Sequence, residues 1–440
     1  MSAIVYRIQI LLEKILKDVY VGTNLGLSHL FLTFLSGRLL TSRGALFPAL
    51  ADFGLDAQAV RRAQAALCYG HFPGDTLVTN WKQAVVEEGH FLPHEVERVQ
   101  PVACDMIGFF RPQLQAPLGK HYQSQADKAL PAVSVVLIGA VGSVGPMRFA
   151  LPQAIVDQDA EDLSEKALKA RIIARAKACL KPGQAGIFDS GFEPEELLTR
   201  GIVDFVVRGA TNFTARRNYL PPSKGVGRPA EWGEMVRPLP RTYKDKEIPA
   251  TPWDATARWK VGKRWLKAYL FNDLVPTEHK PGGRSLRCVV IVDPKYKQPL
   301  VLVTTLAVTA YALWCLYRDR WPIEQIPLAA KQMLGAARAF VFSSKSRTRL
   351  PVLALLAGSV LSYVAASSPA APSGFWDRCA RPTCGRLRRV LSGLHFRDLA
   401  APEGQLRKKE SPTAHLPKGV LGHRRQKAGA DQEEPARKAA

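Results

Sequence analysis

The sequence predicts an α/β fold built around one large sheet. Its middle part contains short apolar runs bounded by Gly or Pro, which is typical of strands. Both flanks contain runs with apolar residues three and four positions apart, which indicates amphipathic helices. Three strand-like runs come first and are followed by alternating helical and strand-like runs, so the sheet is expected to begin antiparallel and to continue as parallel strands. With 440 residues, 47% of them hydrophobic, the chain can bury more than one core.

Residues 1–98 are predicted to form a helical N-terminal domain that binds DNA. The runs "LSHLFLTFLSGRLL", "AQAVRRAQAALCYG" and "GDTLVTNWKQAVVEE" have helical spacing and are separated by Gly and Pro. Arg38, Arg43, Arg61 and Arg62 lie among these helices. They suit a small DNA-contacting module, and a plain helical cap is the alternative. The first twenty residues have amphipathic spacing without the cleavage site of a signal peptide.

Residues 99–211 carry the predicted start of the sheet. Strands, helices and strands follow one another in this region, in an order that predicts a mixed sheet. The segments in chain order are "PVACDMIGFF", "AVSVVLIGA", "PMRFALP", a charged helix over 161–180, "AGIFDSGF", a helix over 193–201 and "VDFVVRGAT".

The remaining chain divides into three predicted parts. Residues 212–300 form a basic, β-rich insertion with short alternating runs such as "RCVVIVD". Residues 301–370 return to helices, and their apolar run 350–366 is shorter than the roughly 20 residues that span a membrane, so a buried core helix is expected. Residues 371–440 are a basic C-terminal region, predicted to be disordered from about 402.

The charge balance indicates the class of partner. The chain has 61 Lys and Arg against 38 Asp and Glu, a net charge of +23. Such a surface attracts polyanions, so nucleic acid is the favoured partner and an anionic membrane the alternative. We expect no membrane insertion and a cytoplasmic location. The seven scattered cysteines predict reduced thiols, with a zinc site beginning at Cys379 and Cys384 as a weaker alternative because no second pair follows.

Three acids are candidates for a metal site. Asp105 in "VACDMIGFF" and Asp189 in "GIFDSGF" lie in or after apolar strand-like runs, where a carboxylate is costly unless it is paired, protonated or bound to a cation. Each could also be an ordinary turn or cap residue. With Glu324 they give three carboxylates on three elements, the ligand type that Mg²⁺ prefers and that Mn²⁺ accepts. Two such cations can drive in-line displacement at phosphorus.

The stretch "YRDRWPIEQIPLAAK", residues 317–331, contains the third acid. On one helix, Tyr317, Glu324 and Lys331 would line one side, with Arg320 four residues before Glu324. One interpretation is a solvated helix face with ordinary ion pairs. The other is a metal-binding Glu324 beside three donors that bind a DNA phosphate. The two prolines of the stretch cannot both begin a helix, so a kink is expected.

These residues carry a resemblance to a known family. The pattern Y-x2-R-x3-E-x6-K resembles the signature of the insertion-sequence DDE transposases with a tyrosine-arginine-glutamate-lysine motif. "DMIGFFRP" is similar to the family's first aspartate strand, and "FDSGF" followed by "FVVRGATNF" is similar to its second. The resemblance covers about residues 25–370. It implies that Asp105, Asp189 and Glu324 are the metal ligands, and that Tyr317, Arg320 and Lys331 bind DNA phosphate.

The resemblance also implies a fold and an activity. The expected fold is a ribonuclease-H-like core over 99–211 and 301–370, interrupted by the β-rich insertion. The expected activity is cleavage at the ends of a mobile element and joining to target DNA with two Mg²⁺ ions, by a homodimer acting on the nucleoid of a bacterium. One aromatic residue of the insertion would hold a flipped base, and Trp253, Trp259 and Trp265 are the candidates. Core packing is the alternative for each.

Two other functions stay open at this point. A decayed or domesticated transposase would bind DNA without cutting it, and a ribonuclease-H-like nuclease would cut without strand transfer. Further polar candidates are weaker. His121 and Tyr122 in "GKHYQSQADK" follow the first aspartate strand and either approach the site or lie in a surface turn. A basic run suits DNA backbone contacts or a solvated face, and it comprises Arg208, Arg216, Arg217, Lys224 and Arg228.

Overall fold

A computed structural model describes most of the chain. The described residues are 3–17, 19, 26–70, 72–110, 120–123, 125–157, 165–222, 225, 228–338, 344–372 and 374–399. The predicted disordered tail from about 402 lies outside these residues. Lys224 of the predicted basic run does too.

The N-terminal part is helical, as the apolar spacing predicts. Its apolar residues face inward and join one core with the C-terminal helices. The side chain of Asp56 accepts a hydrogen bond from the backbone N–H of Ala59 at 2.7 Å and so caps the fifth helix. The helices are α1 (Ala3–Leu16), α2 (Leu27–Leu35), α3 (Arg38–Thr41), α4 (Leu46–Asp52), α5 (Ala57–Tyr69) and α6 (Gly74–Glu88).

The middle of the chain forms a mixed sheet, which confirms the predicted α/β class. The elements are β1 (Phe91–Pro93), β2 (Gln100–Phe110), β3 (Lys120–Gln123), β4 (Lys128–Val144), β5 (Met147–Asp157), α7 (Glu165–Cys179), β6 (Gln184–Phe188), α8 (Pro194–Thr199) and β7 (Phe205–Arg208). Strands β2, β4 and β5 are antiparallel neighbours. Strand β6 then pairs parallel with β2, and β7 pairs parallel with β6. The order across this part is therefore β5, β4, β2, β6, β7.

The strands after residue 211 continue the same sheet. They are β8 (Ala215–Arg217), β9 (Met235–Val236), β10 (Arg241–Tyr243), β11 (Lys246–Ile248), β12 (Ala255–Val261), β13 (Arg264–Val275), β14 (Leu286–Val292) and β15 (Leu300–Thr304). Strand β15 pairs with β7, and β14, β13, β8 and β9 follow in that order. Strand β12 forms a hairpin with β13, and β10 pairs only with β11.

After β15, the described part of the chain is mainly helical, and its helices contact both the N-terminal helices and the sheet. They are α9 (Ala310–Arg318), α10 (Pro322–Leu328), a π-helical turn (Ala329–Met333), α11 (Ser344–Ser367) and α12 (Cys384–Leu391). Helix α11 packs against α2, α5 and α6 and against β4 and β5. Trp81 of α6 donates its indole N–H to the hydroxyl of Ser359 in α11 at 3.0 Å.

Helix α11 is a core helix, as predicted. Within the described residues one segment, Ser346–Ser367, has the length and apolar composition to cross a membrane, but 83% of its apolar window is buried inside the protein. The seven cysteines are free thiols, also as predicted.

The two faces of the sheet carry different layers. On one face, Val102, Cys104 and Phe188 pack with α7 and α8. On the other face, Ala103 lies beside Ile187 in the parallel register, and this face packs against α9, α10 and α11. Side chains at odd positions of β2 and β6 therefore point toward α9 and α10.

We expect Leu356→Ala to lower the free energy of unfolding by about 2–5 kcal/mol, because Leu356 of α11 is fully buried and its truncation leaves a cavity between the helical layer and the sheet. The denaturant midpoint measures the loss. Val86→Ala on α6 is the control, since 61% of Val86 is exposed and its truncation should change stability by less than about 0.5 kcal/mol. Equal losses in both variants would contradict the core role of α11.

Candidate active site

The register of two adjacent strands brings the two aspartates together. Cys104 on β2 is the parallel partner of Phe188 on β6. Asp105 and Asp189 follow these two residues and point to the face that carries α9 and α10, because side chains alternate along a strand. Asp189 stands directly after the last residue of β6, at the carboxyl end of a parallel strand, where open α/β sheets usually place ligands.

The stretch 317–331 is not one helix, so the helical projection of its side chains was wrong. Helix α9 ends at Arg318, and α10 begins at Pro322, which fits because proline is favoured at the first helical position. Between them the N–H of Arg320 bonds the carbonyl of Tyr317 at 3.1 Å. Pro327 lies inside α10 and is followed by the π-helical turn, so the expected irregularity is confirmed.

Asp319 fixes the break between the two helices, and the sequence argument missed it. It accepts a hydrogen bond from Nη1 of Arg148 at 3.0 Å, and it contacts Nδ1 of His94 at 2.9 Å. Both partners lie far away in the chain, next to or on the sheet. Its position two residues after Tyr317 gives no sign of these partners. These contacts tie the linker that carries Arg320 to the sheet.

Arg320 brings the three predicted carboxylates together. Its Nη1 lies 3.1 Å from Oδ1 of Asp105, and its Nη2 lies 3.7 Å from Oδ2 of Asp189. The same Nη2 also forms an ion pair with Glu324, four residues along the chain. Arg320 is only 8% exposed. The ion pair of Arg320 with Glu324 therefore does not lie on a solvated helix face, because the guanidinium of Arg320 is buried and is shared with two distant aspartates.

Tyr317 and Lys331 have different surroundings. The hydroxyl of Tyr317 donates to Oδ1 of Asp189 at 3.2 Å, so Tyr317 belongs to the carboxylate cluster. Lys331 donates from Nζ to the carbonyl of Gly108 at 2.8 Å, and Nζ lies 5.0 Å from the centre of the Phe109 ring. Lys331 therefore lies beside β2 next to Gly108, three residues after Asp105 on that strand.

The cluster shifts the pKa values of its members. Burial raises the pKa of Asp105 to about 6, although Arg320 favours its charged form. Burial and the negative charge of Asp189 raise the pKa of Tyr317 to about 12, so the phenol stays protonated and acts as a donor. Burial disfavours the charged guanidinium of Arg320, but the surrounding carboxylates outweigh it and leave its pKa above the ordinary value.

The three carboxylates are of the ligand type that binds a divalent cation, but their side chains are not arranged around a metal position. In the part of the chain that the structure describes, no group of three His, Cys, Asp or Glu side chains is spaced to hold a metal ion. The guanidinium of Arg320 stands between the three carboxylates and separates them. The donors are carboxylate oxygens, which suit Mg²⁺ or Mn²⁺. The buried guanidinium of Arg320 thus occupies the position that a metal ion would require.

A cleft of about 190 Å³ adjoins the cluster at Asp105. His121 and Tyr122, two weaker candidates from the sequence, line it together with Lys331. Gly108 allows His121 to lie against β2, since a Cβ at this glycine would stand 2.5 Å from Cδ2 of the imidazole. The sequence argument missed Gly108, whose only signal is a glycine inside an apolar strand.

The other basic and aromatic candidates are mostly structural. Arg217 forms two hydrogen bonds of 2.7 Å with Asp254, so it has a structural partner within the insertion. Arg216 donates to the carbonyls of Thr277 and Gly233. The guanidinium groups of these two arginines therefore have partners within the insertion, and their contact with DNA stays a prediction.

The three tryptophans of the insertion differ in their surroundings. Trp259 packs against Tyr311 and Trp314 of α9, which bears out core packing for this residue. Trp253 and Trp265 are more than half exposed.

Comparisons with known proteins found no match: no protein-family model fits the chain, and no curated protein is similar to it.

We expect the stability of the protein to depend on pH through Asp105. Its pKa is about 6 when folded against an ordinary value of 3.8, so the folded state holds this proton more tightly. The resulting stabilisation is present below about pH 4 and is lost as the pH rises through about 6.

Denaturant unfolding at several pH values checks this dependence. The wild type should lose roughly 2 kcal/mol relative to Asp105→Asn between pH 4 and pH 7. A constant difference between the two proteins over this range would contradict it.

Proposed function

We propose that this protein is a DDE transposase, which cleaves DNA strands at the ends of a mobile element and joins them to target DNA by metal-dependent phosphoryl transfer. One observation carries the proposal. Asp105, Asp189 and Glu324 come from three separate elements and converge on one guanidinium at an end of the sheet. Three buried or half-buried acids in one place are costly and are retained where they bind a cation.

The strand order supports a ribonuclease-H-like core. Three antiparallel strands in succession, β2, β4 and β5, are followed by two parallel strands that add on the other side of β2. The first aspartate lies on the central strand of this group and the second follows its parallel neighbour. Strands 212–300 interrupt the chain between the second aspartate and Glu324, as the resemblance implies.

Asp105, Asp189 and Glu324 would hold the metal ions. Two divalent cations bound there supply an activated attacking oxygen and stabilise the leaving oxygen of the phosphodiester. Arg320 would turn from the carboxylates toward a DNA phosphate. Its Nε, which is buried and has no acceptor among the described residues, is a donor suited to a phosphate oxygen. The protonated hydroxyl of Tyr317 and the ammonium of Lys331 would be further hydrogen-bond donors to phosphates of the same DNA strand.

The partner would be DNA, and the net charge of +23 supports this choice. Element ends and target DNA both have to be held, so a homodimer that pairs two ends is part of the proposal. The place of action would be the cytoplasm of a bacterium, at the nucleoid.

A DNA-binding protein without catalysis is the second candidate. Arg320 already forms ion pairs with all three carboxylates, so the fold does not require a metal ion to keep them together. A decayed or domesticated transposase could use the same basic surface to occupy DNA sites. Cleavage assays separate the two candidates.

We expect Mg²⁺-dependent nicking of DNA that carries the sequences flanking this gene, and we expect Glu324→Gln to reduce it by roughly a hundredfold or more, because the amide removes a charged oxygen ligand. Gel electrophoresis of a supercoiled plasmid measures nicking. Glu95→Gln is the matched control at an exposed position outside the cluster. If the wild type binds the plasmid and does not cut it, the DNA-binding candidate replaces the enzyme.

We expect a divalent cation to replace the guanidinium of Arg320. In EDTA, Arg320→Met should lower the free energy of unfolding by about 3–5 kcal/mol, because three carboxylates lose their counter-charge. Mg²⁺ or Mn²⁺ should restore the thermal midpoint of this variant by more than it raises that of the wild type.

Arg217→Met is the matched control for this experiment. It also breaks a partly buried ion pair, but it leaves only one carboxylate behind, that of Asp254. Equal metal responses of the two variants would contradict a metal site at the cluster.

A further inference from the structure

The hairpin of β12 and β13 presents an unusual surface. We define the Trp265 face as five residues on the outer side of the hairpin together with Trp253, which precedes β12 and packs against Tyr269: Trp253, Arg258, Lys260, Trp265, Lys267 and Tyr269. Trp253 and Trp265 are 53% and 55% exposed. Large exposed aromatic side chains that share one surface indicate a binding site more often than isolated ones do.

Cations lie over the rings of this face. The guanidinium of Arg258 stands 5.0 Å from the centre of the Trp265 ring. Nζ of Lys267 stands 4.7 Å from the centre of the Tyr269 ring and 5.8 Å from that of Trp253. The Trp253 and Tyr269 rings contact each other with their centres 4.6 Å apart. Rings and cations therefore alternate across two strands.

Two positive charges on this face stand opposite each other and destabilise the strand pair. Arg258 is the cross-strand partner of Lys267, and Lys260 is that of Trp265. Like charges directly opposite each other destabilise a strand pair. Thr256 stands opposite Tyr269 on this face, and on β14 Val290 pairs with Tyr269 and Val292 with Lys267. None of the residues that the register places on this face is acidic. An anionic ligand would relieve this repulsion.

The Trp265 face points away from the carboxylate cluster. On β13 the residues between its members, Leu266 and Ala268, pack into the core with α9, on the sheet face that carries Asp105 and Asp189. The alternating residues, including Tyr269, pack toward the core of α7 and α8. Trp265 and Lys267 therefore lie on the sheet face opposite the cluster and do not reach the candidate active site.

We propose that the Trp265 face binds single-stranded DNA outside the candidate active site. Unpaired bases can stack on its exposed rings while the cations contact the phosphates. On β13 the rings of Trp265 and Tyr269 are separated by one same-face position, that of Lys267, so a cation that can contact a phosphate lies between two rings on which bases can stack. Duplex bases are already stacked on each other and leave no open ring face. A membrane would require a continuous apolar patch, and here cations interrupt the rings.

Binding of the full chain to a fluorescein-labelled oligothymidine of about 16 nucleotides tests the proposal by fluorescence anisotropy. We expect Trp265→Ala and Lys267→Glu each to raise Kd about tenfold. Lys267→Glu should leave the thermal midpoint unchanged or higher, because the new carboxylate faces Arg258. A merely structural role predicts a lower midpoint instead. Trp376→Ala is the control at an exposed tryptophan outside this face and should keep the wild-type Kd.

Three results would overturn the proposal. The first is wild-type affinity in both Trp265→Ala and Lys267→Glu. The second is a loss of duplex DNA binding as large as the loss of single-strand binding. The third is a loss confined to phosphatidylserine vesicles, which would indicate a membrane surface. Glu95→Gln, at an exposed position outside the cluster, should bind the oligonucleotide as the wild type does. The assay requires no cleavage, so a protein that binds through Trp265 and Lys267 and does not cut DNA contradicts the proposed catalysis and leaves this inference standing.

Discussion

The candidate site depends on one buried guanidinium. Arg320 is shared by an aspartate on a central strand, an aspartate after the neighbouring strand and a glutamate on the next helix. Burial raises the pKa of Asp105, and the charge of Arg320 opposes this shift, so without Arg320 the neutral form of Asp105 would be favoured further. The same residue is the one that a metal ion would have to displace, so stability and the proposed chemistry are coupled through Arg320.

The rest of the fold keeps this guanidinium in place. Asp319, held by Arg148 and His94, anchors the linker between α9 and α10. Helix α11 packs between the N-terminal helices and the sheet, and its long apolar sequence is buried in these contacts. The parallel pairing of β2 with β6 sets the two aspartates side by side. Each of these contacts joins segments that are far apart in the chain.

The insertion has two sides with different tasks. Its inner side, with Leu266, Ala268 and Trp259, completes the core against α9. Its outer side carries exposed rings and cations that stand opposite each other across the strands. Arg216 and Arg217, which the sequence offered as DNA contacts, instead bind carbonyls and Asp254 within the insertion. Basic residues of one region thus differ in their surroundings: Arg216 and Arg217 have partners within the insertion, whereas Arg258 and Lys267 lie over exposed rings.

The sequence by itself determined the elements, because apolar period and Gly or Pro boundaries are local properties. It gave the strands around Asp105 and Asp189, the helical N-terminal part and the buried character of α11. It also selected the three acids and Tyr317, Arg320 and Lys331 as one group. Only the tertiary structure decided how they meet: the break at Asp319 and the strand register are set by distant partners. The helical projection therefore failed. Spacing indicated the ion pair of Arg320 with Glu324, but the ion pairs of Arg320 with Asp105 and Asp189 and the hydrogen bond of Lys331 with Gly108 could not be predicted from spacing.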